Sequence, residues 1–415
     1  MGYISVSKIY KMFTKVYHEF KQLPLKSTSS HVMLHMEAPS VLDKGLPPKK
    51  FIFIIDTSSS MSGEKLKQCK DIISKGMRLF RSCDKIALIS YSDTIVVQSD
   101  WTNCDDAGKR SLQNSFGGLH AHGCTNISGA LFKGLELASK QTDVTVVFLT
   151  DGIANRGIVD QDTLAEMTKN IVGESNIRIH TIGVGANHSV DMLQKLSLGG
   201  TYTFVETPES TTKAFGSILG SAYSTVFQNL KVEITGKNVN FKDGFNNPIT
   251  QYDIGDLYAE EKRDLLAKAS YASEGPYEVT WKVSGINIVD KQSYEESHSL
   301  VIERGEDNEK NEEIKNRLEY INAATLMKSA LKEAKRGNIE SAKSHLRSMP
   351  KTDCPVLSRA MNVAEESMDD FMSGGMNRVQ SLQMELLSQR GTSETVATPW
   401  QRKVASAIEM DVFNS

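Results

Sequence analysis

The chain has 415 residues, with 48 basic and 51 acidic side chains and a formal net charge of −3. That length exceeds one ordinary domain and predicts two or three, and a hydrophobic fraction of 39% is enough to give each a core. Balanced charge without a basic segment argues against nucleic acid as a partner, and no apolar run approaches the roughly 18 residues of a membrane span.

Residues 1–28 read as an N-terminal helical segment, with an amphipathic helix over 4–23. In SSHVMLHMEAPS, Val32, Leu34 and Met36 share one face of a strand. The Pro-, Gly- and Lys-rich VLDKGLPPKK then closes a piece spanning 29–48.

From 49 to 224 strands and helices alternate. FIFII is an unbroken apolar run, as in a strand buried on both faces. EKLKQCKDIISKGMRLF follows with Leu66, Cys69, Ile72, Ile73, Met77 and Phe80 at helical spacing. KIALISY and TIVVQS are strands, and DAGKRSLQNSF and NISGALFKGLELASK are helices. VTVVFLT, a second fully apolar strand, ends in Asp151-Gly152. Helix QDTLAEMTKNIVG, strand IRIHTIGV, helix SVDMLQKLSL, strand TYTFVE and helix STTKAFGSILGSAYS complete the block. Such alternation predicts a doubly wound, mostly parallel α/β sheet.

Between 225 and 303 the period returns to two, through Leu230, Val232 and Ile234 and then Tyr277, Val279, Trp281 and Val283. This is an antiparallel β region. With one strand before the α/β block and several after it, the expected arrangement is a small β-sandwich. The α/β domain would be inserted between its first and second strands. Residues 304–415 read as a helical domain. One stripe runs through Leu318, Ile321, Ala324, Leu326, Leu331 and Ala334, and Gly337-Asn338 separates it from a helix over 339–349. One long helix or two cover 356–390, and WQRKVASAIEMDVF ends the chain. The first pair looks like a tetratricopeptide unit, but a single copy cannot make a solenoid.

Ligands of an open parallel sheet sit outside the carboxyl ends of its strands. Two strands here end in aspartate, giving Asp56-Thr57-Ser58-Ser59-Ser60 and Asp151-Gly152, and Gly123-Cys124-Thr125-Asn126-Ile127 opens a helix between them. Two carboxylates and three hydroxyls can therefore converge. They are hard oxygen donors suited to Mg²⁺, with Mn²⁺ or Ca²⁺ as competitors. Asp56, Ser58 and Ser60 lie two apart in a loop, so their side chains can turn to one side. The neutral serines leave the ion positive charge with which to attract an acidic group. No G-x-S-x-G elbow surrounds Ser58, which argues against a hydrolase nucleophile.

Asp-x-Ser-x-Ser on the first buried strand, a distant Thr and Asp-Gly on the fourth strand resemble the von Willebrand factor A (VWA) domain and its metal-ion-dependent adhesion site. The resemblance covers 51–224, including the Gly-x-Lys-Leu helix start. It implies direct ligation by Ser58, Ser60 and Thr125 and ligation through water by Asp56 and Asp151. Ser59 stands where glycine is common and Cys124 where Gly or Ser is common; neither removes a ligand. The remainder is similar to intracellular VWA proteins of eukaryotes and of some large DNA viruses. These carry a helical partner domain with S-Q-R and T-P-x-Q-R signatures, matched here by Ser388-Gln389-Arg390 and Thr398-Pro399-Trp400-Gln401-Arg402. Some plant relatives add a RING domain and act as ubiquitin ligases; this chain lacks the RING cysteines.

Other features have plainer readings. His120-Ala121-His122-Gly123-Cys124 could hold a soft metal, but a loop of small polar residues explains it equally. Met361, Met368, Met372, Met376 and Met384 read first as core packing. The five cysteines, Cys69, Cys83, Cys104, Cys124 and Cys354, are odd in number and widely spaced. That predicts free thiols in a reducing compartment. MGYISVSKIYKMF has no secretory apolar core, and Val6 stands where a myristoylation signal needs Ser or Thr. The expected location is the cytoplasm, or a virion for a viral chain.

The expected function is a non-enzymatic, Mg²⁺-dependent protein-binding module that captures an Asp or Glu side chain of a partner. The alternatives are a structural or assembly protein, virion or cytoskeletal, and an accessory subunit of an AAA-type ATPase. The chain has no phosphate-binding loop of its own. Oligomeric state is not legible.

Overall fold

The computed structural model describes residues 11–40, 47–173, 175–244 and 246–388. They fall into two compact units. One takes the residues up to Leu46, Ser224–Leu326 and Ser348–Ser358; the other takes Pro47–Tyr223, Met327–Arg347 and the residues from Arg359.

The second unit is built on a six-stranded sheet. Its order is Ile95–Asn103, Lys85–Tyr91, Lys50–Asp56, Val144–Thr150, Ile177–Val184, Gly199–Val205. All neighbours are parallel except the Ile95–Asn103 edge, which runs antiparallel. This is the doubly wound sheet that the alternating pattern predicts. The apolar run in Lys50–Asp56 follows from its central place. Phe51, Phe53 and Ile55 pack with Leu66, Ile73, Phe116 and Phe215 on one side. Ile52 and Ile54 pack with Leu131, Leu135, Leu164 and Leu193 on the other. Successive strand side chains point to opposite faces, so a strand with a helix layer on each face favours apolar residues at successive positions. The covering helices include Glu64–Gly76, Asp106–Gly117, Ile127–Ser139, Gln161–Val172 and Pro208–Ser224. Three of these start where Asp105, Asn126 or Asp160 accepts a hydrogen bond from the backbone N–H three residues on, and the short helix Val190–Leu196 starts in the same way at Ser189. Close packing uses two glycines: a Cβ on Gly134 would lie 2.4 Å from Ile54 Cδ1, and one on Gly76 2.4 Å from Phe215 Cε1.

The first unit holds two four-stranded antiparallel sheets. One runs Phe13–His18, Ser29–Glu37, Lys262–Tyr271, Val239–Lys242; the other runs Gln251–Tyr258, Thr225–Lys237, Tyr277–Asn287, Gln292–Ile302. The Tyr252 hydroxyl donates to Leu266 O at 2.9 Å, and the Tyr271 and Tyr277 rings meet edge-on at 5.0 Å, linking the two sheets. Residues 31–37 pair with Lys262–Lys268, as the return of period two predicts.

Two expectations need correction. Residues 13–18 are a strand and not part of a helix over 4–23, because the antiparallel ladder to Val32–Glu37 satisfies their backbone. The α/β block therefore enters after the strand Ser29–Glu37, with Phe13–His18 already in the same sheet. Among the described residues the helices after 304 divide between the two units, Glu312–Ala334 at Leu326 and Pro355–Glu366 at Ser358. The region 356–390 resolves into two helices, Pro355–Glu366 and Gly375–Ser388, within the described residues. The methionine row is split: Met361 and Met368 are buried, whereas Met372 and Met384 are exposed. Gln389-Arg390, the 398–402 signature and the expected last helix lie outside the described residues. Among the described residues no helix is long and apolar enough to cross a membrane.

Candidate metal centre

The carboxyl ends of Lys50–Asp56 and Val144–Thr150 are neighbours, since the two strands pair in parallel register up to Ile55 and Leu149. The next residues, Asp56 and Thr150, therefore leave the sheet side by side. Asp56 is fully buried. Its Oδ1 accepts the Ser58 N–H at 2.8 Å, and its Oδ2 accepts the Thr150 hydroxyl at 2.6 Å and the Tyr91 hydroxyl at 3.3 Å. Burial holds the Asp56 carboxyl above its ordinary pKa; the Thr150 and Ser58 hydrogen bonds oppose this, and the charge of Asp151 adds to it.

The Ser58 and Ser60 hydroxyls lie 3.0 Å apart, and Ser60 Oγ donates to Asp151 Oδ1 at 2.7 Å. The other carboxylate oxygen of Asp151 takes an ion pair from Lys65 Nζ. Asp151 is fully buried, Ser58 and Thr125 are nearly so, and Ser60 is exposed. Nearby Cys69 registers both acids: burial first, then the charges of Asp151 and Asp56, push its thiol up to about 12.

Thr125 arrives on a different loop. Its N–H donates to Asn155 Oδ1 at 2.8 Å, and its carbonyl accepts the Asn155 N–H at 3.2 Å. That loop is laced to the first: His122 N–H donates to Thr57 O at 2.7 Å, and Ser59 N–H to Gly123 O at 3.1 Å. Gly123 has φ +71°, and a Cβ there would lie 2.1 Å from Asp93 Oδ2, so the position requires glycine. A Cβ on Gly152 would lie 3.4 Å from Thr125 Oγ1 and 3.8 Å from Ser60 Oγ, so both hydroxyls border one small space.

The five residues named from sequence, Asp56, Ser58, Ser60, Thr125 and Asp151, are thus brought to one edge of the sheet. The set offers two carboxylates and three hydroxyls with an exposed mouth at Ser60, a donor set that fits a hard divalent ion. Among the described residues no group of three or more His, Cys, Asp or Glu is placed to hold a metal. His122 is instead engaged with Ser92 Oγ and His120 O, both at 3.0 Å. Sequence reasoning missed Thr150, Tyr91, Asn155 and Lys65. Thr150, Tyr91 and Lys65 stand inside VTVVFLT, KIALISY and Gly-x-Lys-Leu, where nothing local marks them as partners of the site; Asn155 carries no local signal.

The order of strands, the two strand-end aspartates and the threonine loop together point to one domain type. Residues 49–204 match the von Willebrand factor type A domain. The α/β unit is a VWA-type domain, accompanied by antiparallel sheets and further helices. The chain is 29% identical over 177 residues to mouse inter-alpha-trypsin inhibitor heavy chain H3, covering 40% of this chain and 19% of that protein. It is 28% identical over 187 residues to bovine heavy chain H1, covering 41% and 20%. The chain thus matches about a fifth of the length of these curated relatives. In structure it resembles a von Willebrand factor type A protein from Catenulispora acidiphila, with TM-score 0.66 and 14% identity over 92% of this chain and 96% of that one. The ArnB paralog VWA2 from Sulfolobus acidocaldarius aligns with TM-score 0.58 and 14% identity over 90% and 98%. At these identities the structural likeness speaks for the fold. It extends beyond the VWA domain to most of the chain.

Proposed function

We propose that this chain is a non-enzymatic protein-binding module whose VWA domain holds Mg²⁺ and captures an Asp or Glu side chain of a partner protein. The observation that carries the reading is the convergence of two buried carboxylates with three hydroxyls around a mouth at Ser60. Ser58, Ser60 and Thr125 would face the ion directly, and Asp56 and Asp151 through water. Bound there, Mg²⁺ supplies an electrophilic position for a carboxylate oxygen. The chain's own part is preorganisation. Thr150, Tyr91 and the Ser58 N–H fix Asp56, while Asn155 fixes the loop that presents Thr125. The surrounding loops would choose the partner. Beside them a cleft of about 510 Å³ is lined by Ser62, Leu66, Lys67, Lys70, Leu119 and His120.

The relatives are named as heavy chains of an inter-alpha-trypsin inhibitor, which accords with a role in protein association. The reducing, cytoplasmic location rests on the five cysteines, which stand as free thiols in the fold. Affinity purification with the full chain, in Mg²⁺ and in chelator, tests the mechanism. Partners retained only in Mg²⁺ and lost from Asp151→Ala support it. Partners retained equally in chelator refute it and favour a scaffold or assembly role.

A further inference from the structure

Lys65 is the cation that the ligand motif does not account for. It projects from the first turn of Glu64–Gly76, five residues beyond Ser60, and its ammonium pairs with Asp151 Oδ2. Its stem lies against the Gly185 backbone: a Cβ on that glycine would sit 3.5 Å from Lys65 Cε. Asp151 is fully buried, and the Lys65 side chain retains a third of its exposure. The ammonium is therefore held over a buried carboxylate at a site open to water. Asp56 and Asp151 contribute two negative charges and Lys65 one positive, a formal sum of −1. A divalent ion brings the sum to +1. With a neutral residue at 65 the loaded site would sum to zero.

We propose that Lys65 is a positioning residue that sets the charge of the loaded site, trading affinity for the ion against affinity for an anionic ligand. The inference rests on the magnesium reading above. Coulomb's law gives the two effects opposite signs: the ammonium repels the divalent cation and attracts an incoming carboxylate. A residue that only braced Asp151 would move both affinities in the same direction, or neither.

The test uses the full chain with Lys65→Met, which keeps the length of the stem, Lys65→Gln, which can still donate to Asp151, and Lys65→Arg, which keeps the charge. Mg²⁺ and Mn²⁺ are titrated by calorimetry, and acetate is then titrated onto the Mn²⁺-loaded protein. The expected result is Mg²⁺ binding tightened about tenfold in Lys65→Met and Lys65→Gln. Acetate binding should weaken in both, and Lys65→Arg should match wild type. If Lys65→Met fails to fold, Lys65→Gln carries the same readout. Equal or weaker Mg²⁺ binding by a folded neutral variant overturns the inference while the metal reading stands. Failure of wild type itself to bind either ion removes the metal reading, and this inference with it.

Discussion

Asp56 and Asp151 carry the same chemistry but are built into the fold differently, so their removal should have different costs. Asp56→Ala strips the acceptor from three donors in a fully buried place: the Ser58 N–H, the Thr150 hydroxyl and the Tyr91 hydroxyl. A buried donor left without an acceptor costs about 1–3 kcal/mol. Taking about 1 kcal/mol for each rotatable hydroxyl and about 2 for the fixed amide gives a loss of roughly 4 kcal/mol. Removing a buried carboxylate that stands near a second one returns about 1–2 kcal/mol. The net loss expected is about 2–3 kcal/mol. Asp151→Ala frees only Ser60, which is exposed, and Lys65, which reaches water, so no more than about 1 kcal/mol is expected there. Hydrogen exchange in chelator, followed at the amides of 51–55 in the full chain, measures this without assuming a single unfolding transition. Asp56→Ala should exchange about 30- to 150-fold faster than wild type, and Asp151→Ala no more than about fivefold faster. If Asp151→Ala exchanges as fast as Asp56→Ala, Asp56 is not the anchor of the strand end and the assignment of roles is wrong.

Other outcomes follow from individual contacts. Thr125→Ala should leave stability within about 1 kcal/mol, because Asn155 holds Thr125 by its backbone, but should weaken Mg²⁺ and partner binding in calorimetry. Gly76→Ala should lower the unfolding free energy by about 1–3 kcal/mol in urea titrations, because its methyl would meet the Phe215 ring. His188 is lowered from 6.5 to about 4, first by burial and further by Lys65, against the Gly185 carbonyl and the charge of Asp151. A depressed histidine contributes stability above its unfolded pKa and loses it as pH falls, so about 2 kcal/mol should disappear between pH 7.5 and 5, and His188→Gln should not show that loss. Native alkylation followed by mass spectrometry should label exposed Cys83 first. Buried Cys69 and Cys104, both pushed up to about 12, should be labelled last.

What could be read from the sequence was whatever one segment decides alone. FIFII and VTVVFLT declare a twice-covered strand because each position faces a helix layer. Residues 13–18 defeated the same reasoning. Phe13 and Lys15 are exposed, Thr14 and Val16 are only half-buried, and the weak alternation of this edge strand left helical spacing to look as good. The deciding partner, Val32–Glu37, lies beyond the reach of local periodicity. The helices after 304 show the same limit. Their apolar positions announce helices, but nothing in the spacing says that Glu312–Ala334 divides between two units.

The site divides along the same line. An oxygen ligand must be a residue bearing a hard oxygen, and the turn after a strand must be short, so Asp56, Ser58 and Ser60 can be read from one pentapeptide. The groups that hold them are free to come from anywhere. Tyr91 reaches Asp56 only because Lys85–Tyr91 pairs with Lys50–Asp56 in register, Asp56 opposite Tyr91. Lys65 reaches Asp151 across 86 positions of sequence. Donor identity is therefore legible, whereas the charge that surrounds the donors is not. Two chains could share all five oxygen residues and differ only at position 65. Their motifs would be indistinguishable, yet by the charge argument one would keep its ion and the other would favour its partner.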